Sequence, residues 1–403
     1  MIRLLLTLIV STFLLACNTP EKKASTEKDS LKTLSSPADS LSAEPYLFTD
    51  KNGTVYLSWI EKVKETSSLK FSRLNDDQWS KPGIIASGNN WFVNWADYPM
   101  LASDGEGNMI AHILEKSEND TYTYDVKLVT SQDKGVKWSP SRILHDDGKK
   151  AEHGFVSLLP DKKNYFISWL DGRNTGMEGG SGHGGTHHGA MSIRAAVVST
   201  MGIKTAEWEL DSRVCDCCQT SAALTANGPV VVYRDRSEDE IRDISIVRLV
   251  DGQWSKPKPV FPDNWKISGC PVNGPRADAK GNNLAIAWFS SRDKVGRVQV
   301  IFSSDGGATF NSPVKINESE TIGRVDLLML DDKSAMVSWM EGSEIKAVRV
   351  YSDGKKEASM VIASSSESRS GGFPQMTKSG NRVVFAWSDT KEKTIKTSSL
   401  TLN

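Results

Sequence analysis

Ile167-Ser168-Trp169-Leu170-Asp171 is a short apolar stretch that ends in an aromatic residue, one spacer and an acid, and the chain repeats it. Related stretches are Leu57-Ser58-Trp59-Ile60-Glu61, Ala111-His112-Ile113-Leu114-Glu115, Val231-Val232-Tyr233-Arg234-Asp235, Ile286-Ala287-Trp288-Phe289-Ser290, Val337-Ser338-Trp339-Met340-Glu341 and Phe385-Ala386-Trp387-Ser388-Asp389. Successive copies lie about fifty residues apart, the period of four-stranded units arranged in a ring. Turns such as Asp50-Lys51-Asn52-Gly53 and Asp104-Gly105-Glu106-Gly107 precede the copies. An alternating third strand follows, as in Ile244-Ser245-Ile246-Val247-Arg248. Then Trp79-Ser80-Lys81-Pro82, Trp138-Ser139-Pro140, Trp254-Ser255-Lys256-Pro257 or Phe310-Asn311-Ser312-Pro313 leads into a fourth. With period-2 alternation and no long helical period, the expectation is an all-β protein, a β-propeller of four-stranded blades. Seven copies imply seven blades, with a six-bladed ring containing one irregular unit as the alternative. The last copy stops after its third strand, so a segment near residues 30 to 45 is expected to supply its fourth.

The third-to-fourth turns carry a family resemblance. Ser303-Ser304-Asp305-Gly306-Gly307-Ala308-Thr309-Phe310 resembles the Asp box of sialidases and their relatives, and Ser131-Gln132-Asp133-Lys134-Gly135-Val136-Lys137-Trp138 is a second copy. The turns at Asp76 to Trp79 and Asp251 to Trp254 are degenerate versions. In such a turn the Asp satisfies backbone amides and Gly takes the positive-φ position. The resemblance implies a sialidase-like propeller over most of the chain. It also implies that these boxes lie on the face away from any ligand.

The chain has 403 residues, with 49 basic and 50 acidic ones, so charge gives no nucleic-acid footprint. Arg3 and the apolar run Leu4 to Leu15 form a signal-peptide pattern too short for a comfortable membrane span. Leu14-Leu15-Ala16-Cys17 resembles a bacterial lipoprotein box, which implies cleavage after residue 16 and lipid on Cys17. Residues 1–17 then form the leader and 18–44, rich in Ser, Thr, Lys, Glu and Pro, read as a flexible tether. Residues 45–403 form one propeller domain. The expected location is the bacterial cell envelope, on a membrane lipid anchor. Asn18 after the Cys favours the outer membrane, facing either the periplasm or the outside.

In a propeller the Asp-box turns share one face with the first-to-second turns, and the other connections form the opposite, upper face. Sorting by connection places Cys215, Cys217, Cys218 and Cys270 on that upper face. It also places there the stretch His145 to His153 and the Gly-rich loop with His183, His187 and His188. Exported thiols tend to pair, so disulfide staples are one reading of the cysteines. The other is a metal site of Cys215, Cys217, Cys218 and Cys270 with His183, His187 and His188, suited to copper or zinc. Arg173, Arg234, Arg236, Arg242, Arg276 and Arg324 collect on the same face as candidates for binding an anionic ligand, a glycan among them.

The sialidase resemblance implies three arginines on a carboxylate, a Tyr–Glu nucleophile and an Asp acid/base. The motif that normally introduces the first arginine is absent, and Tyr233 sits at a repeat position that packs the core. Catalytic candidates reduce to Arg234, Asp235, Arg236, Glu240 and Arg242. Three functions stay open: a ligand- and metal-binding propeller, a sialidase-type glycoside hydrolase, and a disulfide-stapled structural lipoprotein.

Overall fold

The second strand of each repeat, which carries the aromatic residue, is buried on both faces, which is why it reads as a nearly continuous apolar run. In Asn283–Ser290, for example, every residue after the first is buried. The large residue at the repeat position packs to one side and a small residue before it to the other. Trp59, Trp169, Trp288 and Trp339 are buried, and so are Ser58, Ser168, Ala287 and Ser338 beside them. For Trp169 and Trp339 the acid two places on anchors the indole. Trp169 Nε1 donates to Asp171 at 2.8 Å and Trp339 Nε1 to Glu341 at 3.1 Å. Lysines on the next strand meet acids at this position, Lys70 on Glu61 at 2.6 Å and Lys346 on Glu341 at 2.7 Å.

The computed structural model describes residues 30–176 and 189–402, so the leader, Cys17, His183, His187 and His188 lie outside the described residues. Seven antiparallel sheets follow one another around an axis. Their innermost strands are Ser42–Thr49, Leu101–Ser103, His153–Asp161, Ser221–Thr225, Arg276–Lys280, Gly323–Asp331 and Gln375–Ser379, numbered here as blades 1 to 7. Six of the sheets run outward in sequence order, and hydrophobic clusters fill the spaces between neighbouring sheets. The six-bladed alternative is therefore set aside.

Blade 7 is closed from the other end of the chain. Its three C-terminal strands end in Thr394–Thr401, and Ser30–Leu34 pairs antiparallel with that strand as the outermost one. The segment expected near residues 30 to 45 to supply the fourth strand is thus Ser30–Leu34, within the stretch whose composition reads as a tether. Only Leu34 of the five strand residues is buried, so composition alone hides the strand.

The Asp boxes form as expected. In blade 5, Asp305 accepts from Thr309 N at 2.9 Å and Thr309 Oγ1 at 2.6 Å. Gly307 adopts φ 83° there, where a Cβ would meet Ile246 at 2.7 Å. The blade 2 box repeats the pattern with Asp133, Ser131 and Lys137 N.

Candidate functional site

The upper end of the axis is closed by the connection into blade 2, residues 91–100. Trp95 stacks on Phe373 of blade 7 with ring centroids 5.6 Å apart, and the Arg324 guanidinium of blade 6 lies 5.2 Å over it. Tyr98 stacks on Tyr46 of blade 1 at 6.2 Å and lies under Arg276 of blade 5 at 5.6 Å. Gln219, leading into blade 4, donates to Ala96 O at 2.7 Å and accepts from Gly274 N at 2.9 Å. Asp97 accepts from Phe155 N of blade 3 at 2.8 Å. One short segment therefore touches the other six blades. Along the axis is a cavity of about 390 Å³ whose lining includes Tyr46, Ser157, Arg276, Asp326, Gln375 and Lys378.

Asp97 and Glu152 share the Tyr124 hydroxyl, at 3.2 and 2.9 Å. Burial pushes the Asp97 carboxyl up to about 7 and, together with the charge of Asp97, Glu152 up to about 8. A carboxyl with a raised folded-state pKa holds its proton longer than in the unfolded chain. Its stabilising share is complete below the ordinary value and is lost as pH rises through the folded value. Between pH 5 and 8 the protein is expected to lose about 2–4 kcal/mol more stability than its Asp97→Asn variant. Urea unfolding of both at the two pH values checks this, and parallel pH dependences would refute it.

The arginines are held by the protein itself. Arg234 is buried and donates to Asn273 O at 3.1 and 2.7 Å, to Arg242 O at 2.6 Å and to Phe289 O at 2.7 Å. Arg324 donates to the carbonyls of Ser366, Glu367, Ser368 and Gly372. Arg173 pairs with Asp171 at 2.7 Å, Asp147 at 3.0 Å and Glu207 at 3.3 Å. Arg236 forks onto Glu240 and reaches Asp216, while Arg242 takes the other Glu240 oxygen at 2.8 Å. Asp235 accepts from Arg236 N and Ser245 Oγ. Arg276 differs: Asp326 lies 3.6 Å away, and its Nη2 is buried without a hydrogen-bond partner. The six arginines thus fall into separate settings rather than around one anion.

The cysteines come together. Cys217 and Cys270 form a disulfide, with Cα atoms 5.9 Å apart, linking the lead-ins to blades 4 and 5. Cys215 and Cys218 are free, buried thiols with Sγ atoms 3.4 Å apart, and Cys217 Sγ is 3.9 Å from Cys215. Arg242 Nη1 donates to Cys215 Sγ at 3.2 Å. Burial opposes ionisation of Cys215, but the Cys218 hydrogen bond and the Arg242 charge outweigh it and hold the thiol below its ordinary value. The sequence reading weighed staples against ligands, and the structure holds one bridged pair beside one open pair.

A second cluster escaped the choice of site residues, although the stretch His145 to His153 was noted for its place on this face. The two imidazoles stack with centroids 3.6 Å apart and planes 4° from parallel. Asp125, Asp147, Asp171 and Arg173 surround them at the junction of blades 2 and 3. No standard ligand spacing links these residues, so the sequence signal is two histidines and three acids, Asp146, Asp147 and Glu152, within one connection.

No family model matches this sequence, and no curated protein matches it. Among solved structures, the polysaccharide lyase Uly1 superposes with a TM-score of 0.52 at 8% identity, covering 90% of each chain. An α-L-arabinanase of Penicillium chrysogenum gives 0.50 at 11% identity, over 92% of this chain and 97% of that one. What is shared with these structures is the fold, and in this chain it is a β-propeller of seven four-stranded blades. The NanB sialidase of Streptococcus pneumoniae also matches, with a TM-score of 0.46 at 10% identity over 92% of this chain and 94% of that one. At such identities the likeness is one of fold.

Proposed function

We propose that this sialidase-like propeller is a lipid-anchored protein of the bacterial cell envelope that binds a soft metal ion, copper(I) or zinc, through the Cys215 and Cys218 thiolates. The carrying observation is the pair of buried sulfurs at 3.4 Å with a guanidinium 3.2 Å from one of them. The three sulfurs of Cys215, Cys217 and Cys218 lie within 4.8 Å of one another, so the bridged Cys217 packs directly against the open pair. Thiolates select copper(I) and zinc over harder ions. The Cys217–Cys270 bridge pins the lead-ins of two neighbouring blades and so fixes where the open pair sits. An anionic ligand would address Arg276, whose Nη2 is the donor left open on the axis.

The glycoside hydrolase reading would need arginines facing one substrate carboxylate. Here Arg234 and Arg324 donate to backbone carbonyls, and Arg173, Arg236 and Arg242 already meet acids. No observation favours that reading over metal binding.

The mature chain, purified from an oxidising compartment, is expected to carry near-stoichiometric copper or zinc by elemental mass spectrometry. The Cys215→Ser/Cys218→Ser variant is expected to carry about one metal ion per chain less than the parent while keeping the parent's circular dichroism. Metal-free parent protein would overturn the proposal, as would unchanged metal in the variant.

A further inference from the structure

We propose a second metal site, separate from the thiolates: His145, His153 and Asp125 bind a divalent first-row transition ion, with zinc as its representative, at the junction of blades 2 and 3. One ligand atom from each residue lies within 4.8 Å of the others, and all three residues are buried. Two imidazoles and a carboxylate form a donor set for zinc and its neighbours rather than for calcium or magnesium.

The hydrogen bonds around the rings assign their nitrogens. His153 Nδ1 faces Ala151 O at 3.1 Å and Tyr124 O at 3.3 Å, both acceptors, so it carries a proton; Nε2 faces the Asp147 carboxylate at 3.0 Å, and a bound cation would take the place of the proton held there. His145 Nδ1 faces the Asp147 carboxylate at 3.2 Å and likewise carries a proton. Its Nε2 then holds a lone pair, and that atom is buried with no hydrogen-bond partner. The group nearest to it is another acceptor, Asp125 Oδ1 at 3.5 Å. An imidazole lone pair and a carboxylate oxygen facing each other without a proton between them attract the same cation.

The outer partners match those that orient metal-bound histidines: a carboxylate on one Nδ1 and backbone carbonyls on the other. Asp147 and Asp171 are the other acids near His153 Nε2, at 3.0 and 3.7 Å. Both already face Arg173, at 3.0 and 2.7 Å, so their charge is met by a guanidinium. Asp125 is therefore assigned as the ligand and Asp147 as the residue that aims the rings. The stacking holds the two imidazoles side by side in parallel planes, so binding one ion through both Nε2 atoms requires the rings to tilt toward each other.

The test uses the Cys215→Ser/Cys218→Ser variant, with the Cys217–Cys270 bridge intact, so that success or failure here is independent of the thiolate proposal. After chelator treatment, isothermal titration with Zn²⁺ is expected to show saturable binding near one ion per chain. His145→Asn keeps an amide near the Nδ1 position and removes Nε2, and Asp125→Asn keeps shape and removes charge. Each is expected to weaken Zn²⁺ binding by about 100-fold or more, beyond what loss of an outer partner costs. Circular dichroism and thermal unfolding select whichever of the two folds as the parent does. Absence of Zn²⁺ binding in the thiol-free variant would overturn this site whatever the parent binds, leaving a protonated imidazole–carboxylate cluster. Zn²⁺ binding that survives in a correctly folded His145→Asn or Asp125→Asn protein would also overturn it.

Discussion

Replacement of Arg234 by alanine is expected to lower the unfolding free energy by about 3–5 kcal/mol, enough to leave much of the protein unfolded or insoluble. The side chain is 2% exposed, and its guanidinium lies 4.9 Å over Trp265. It joins blade 4 to the blade 5 lead-in and blade 5 itself through Asn273 O and Phe289 O. Truncation leaves a cavity between blades and three carbonyls stripped of their donor, each a buried group with no water to replace it. Arg236→Ala is the control, because that side chain lies near the surface and its ion pairs with Glu240 and Asp216 are partly solvated. Its expected cost is below about 1 kcal/mol. Urea unfolding of both variants checks the contrast. Similar small effects would mean that Arg234 is free to serve a ligand rather than the fold.

Removing everything before Ser42 is expected to cost about 3–5 kcal/mol and to produce concentration-dependent association. The deletion takes away Ser30–Leu34, whose five residues pair with Thr397 to Thr401. Leu34 leaves the cluster it shares with Leu47, Leu57 and Trp59. The strand Thr394–Thr401 becomes an open edge, ready to pair with another chain. A chain beginning at Ser30 should match the longer one in both thermal midpoint and light scattering. Equal behaviour of the chains beginning at Ser30 and Ser42 would refute the closure.

That closing strand also shows where sequence reading stopped. Trp169 and Asp171 could be read as a repeat because a large buried residue, most often Trp followed by an acid, recurs at the same position of the second strand in each blade. Asp305 and Thr309 could be read because the turn carries its own hydrogen bonds. Ser30 to Leu34 could be expected only from the missing fourth strand of the last unit, since four of its five residues face solvent and look like tether. Arg234 and Arg324 looked like ligand-binding residues because their partners are backbone carbonyls, which leave no mark on composition. The cysteines were legible as a group, but which pair was bridged depended on how blades 4 and 5 approach each other. His145, His153 and Asp125 come together only when blades 2 and 3 pack, so the cluster was visible only in part, as a stretch of one connection.

Metal-edge X-ray absorption on the parent protein as isolated tests the thiolate proposal most directly. The account predicts a bound copper or zinc with at least two sulfur neighbours, which for zinc stand at about 2.3 Å. A first shell of nitrogen and oxygen alone, or a folded protein with no metal at all, would contradict it.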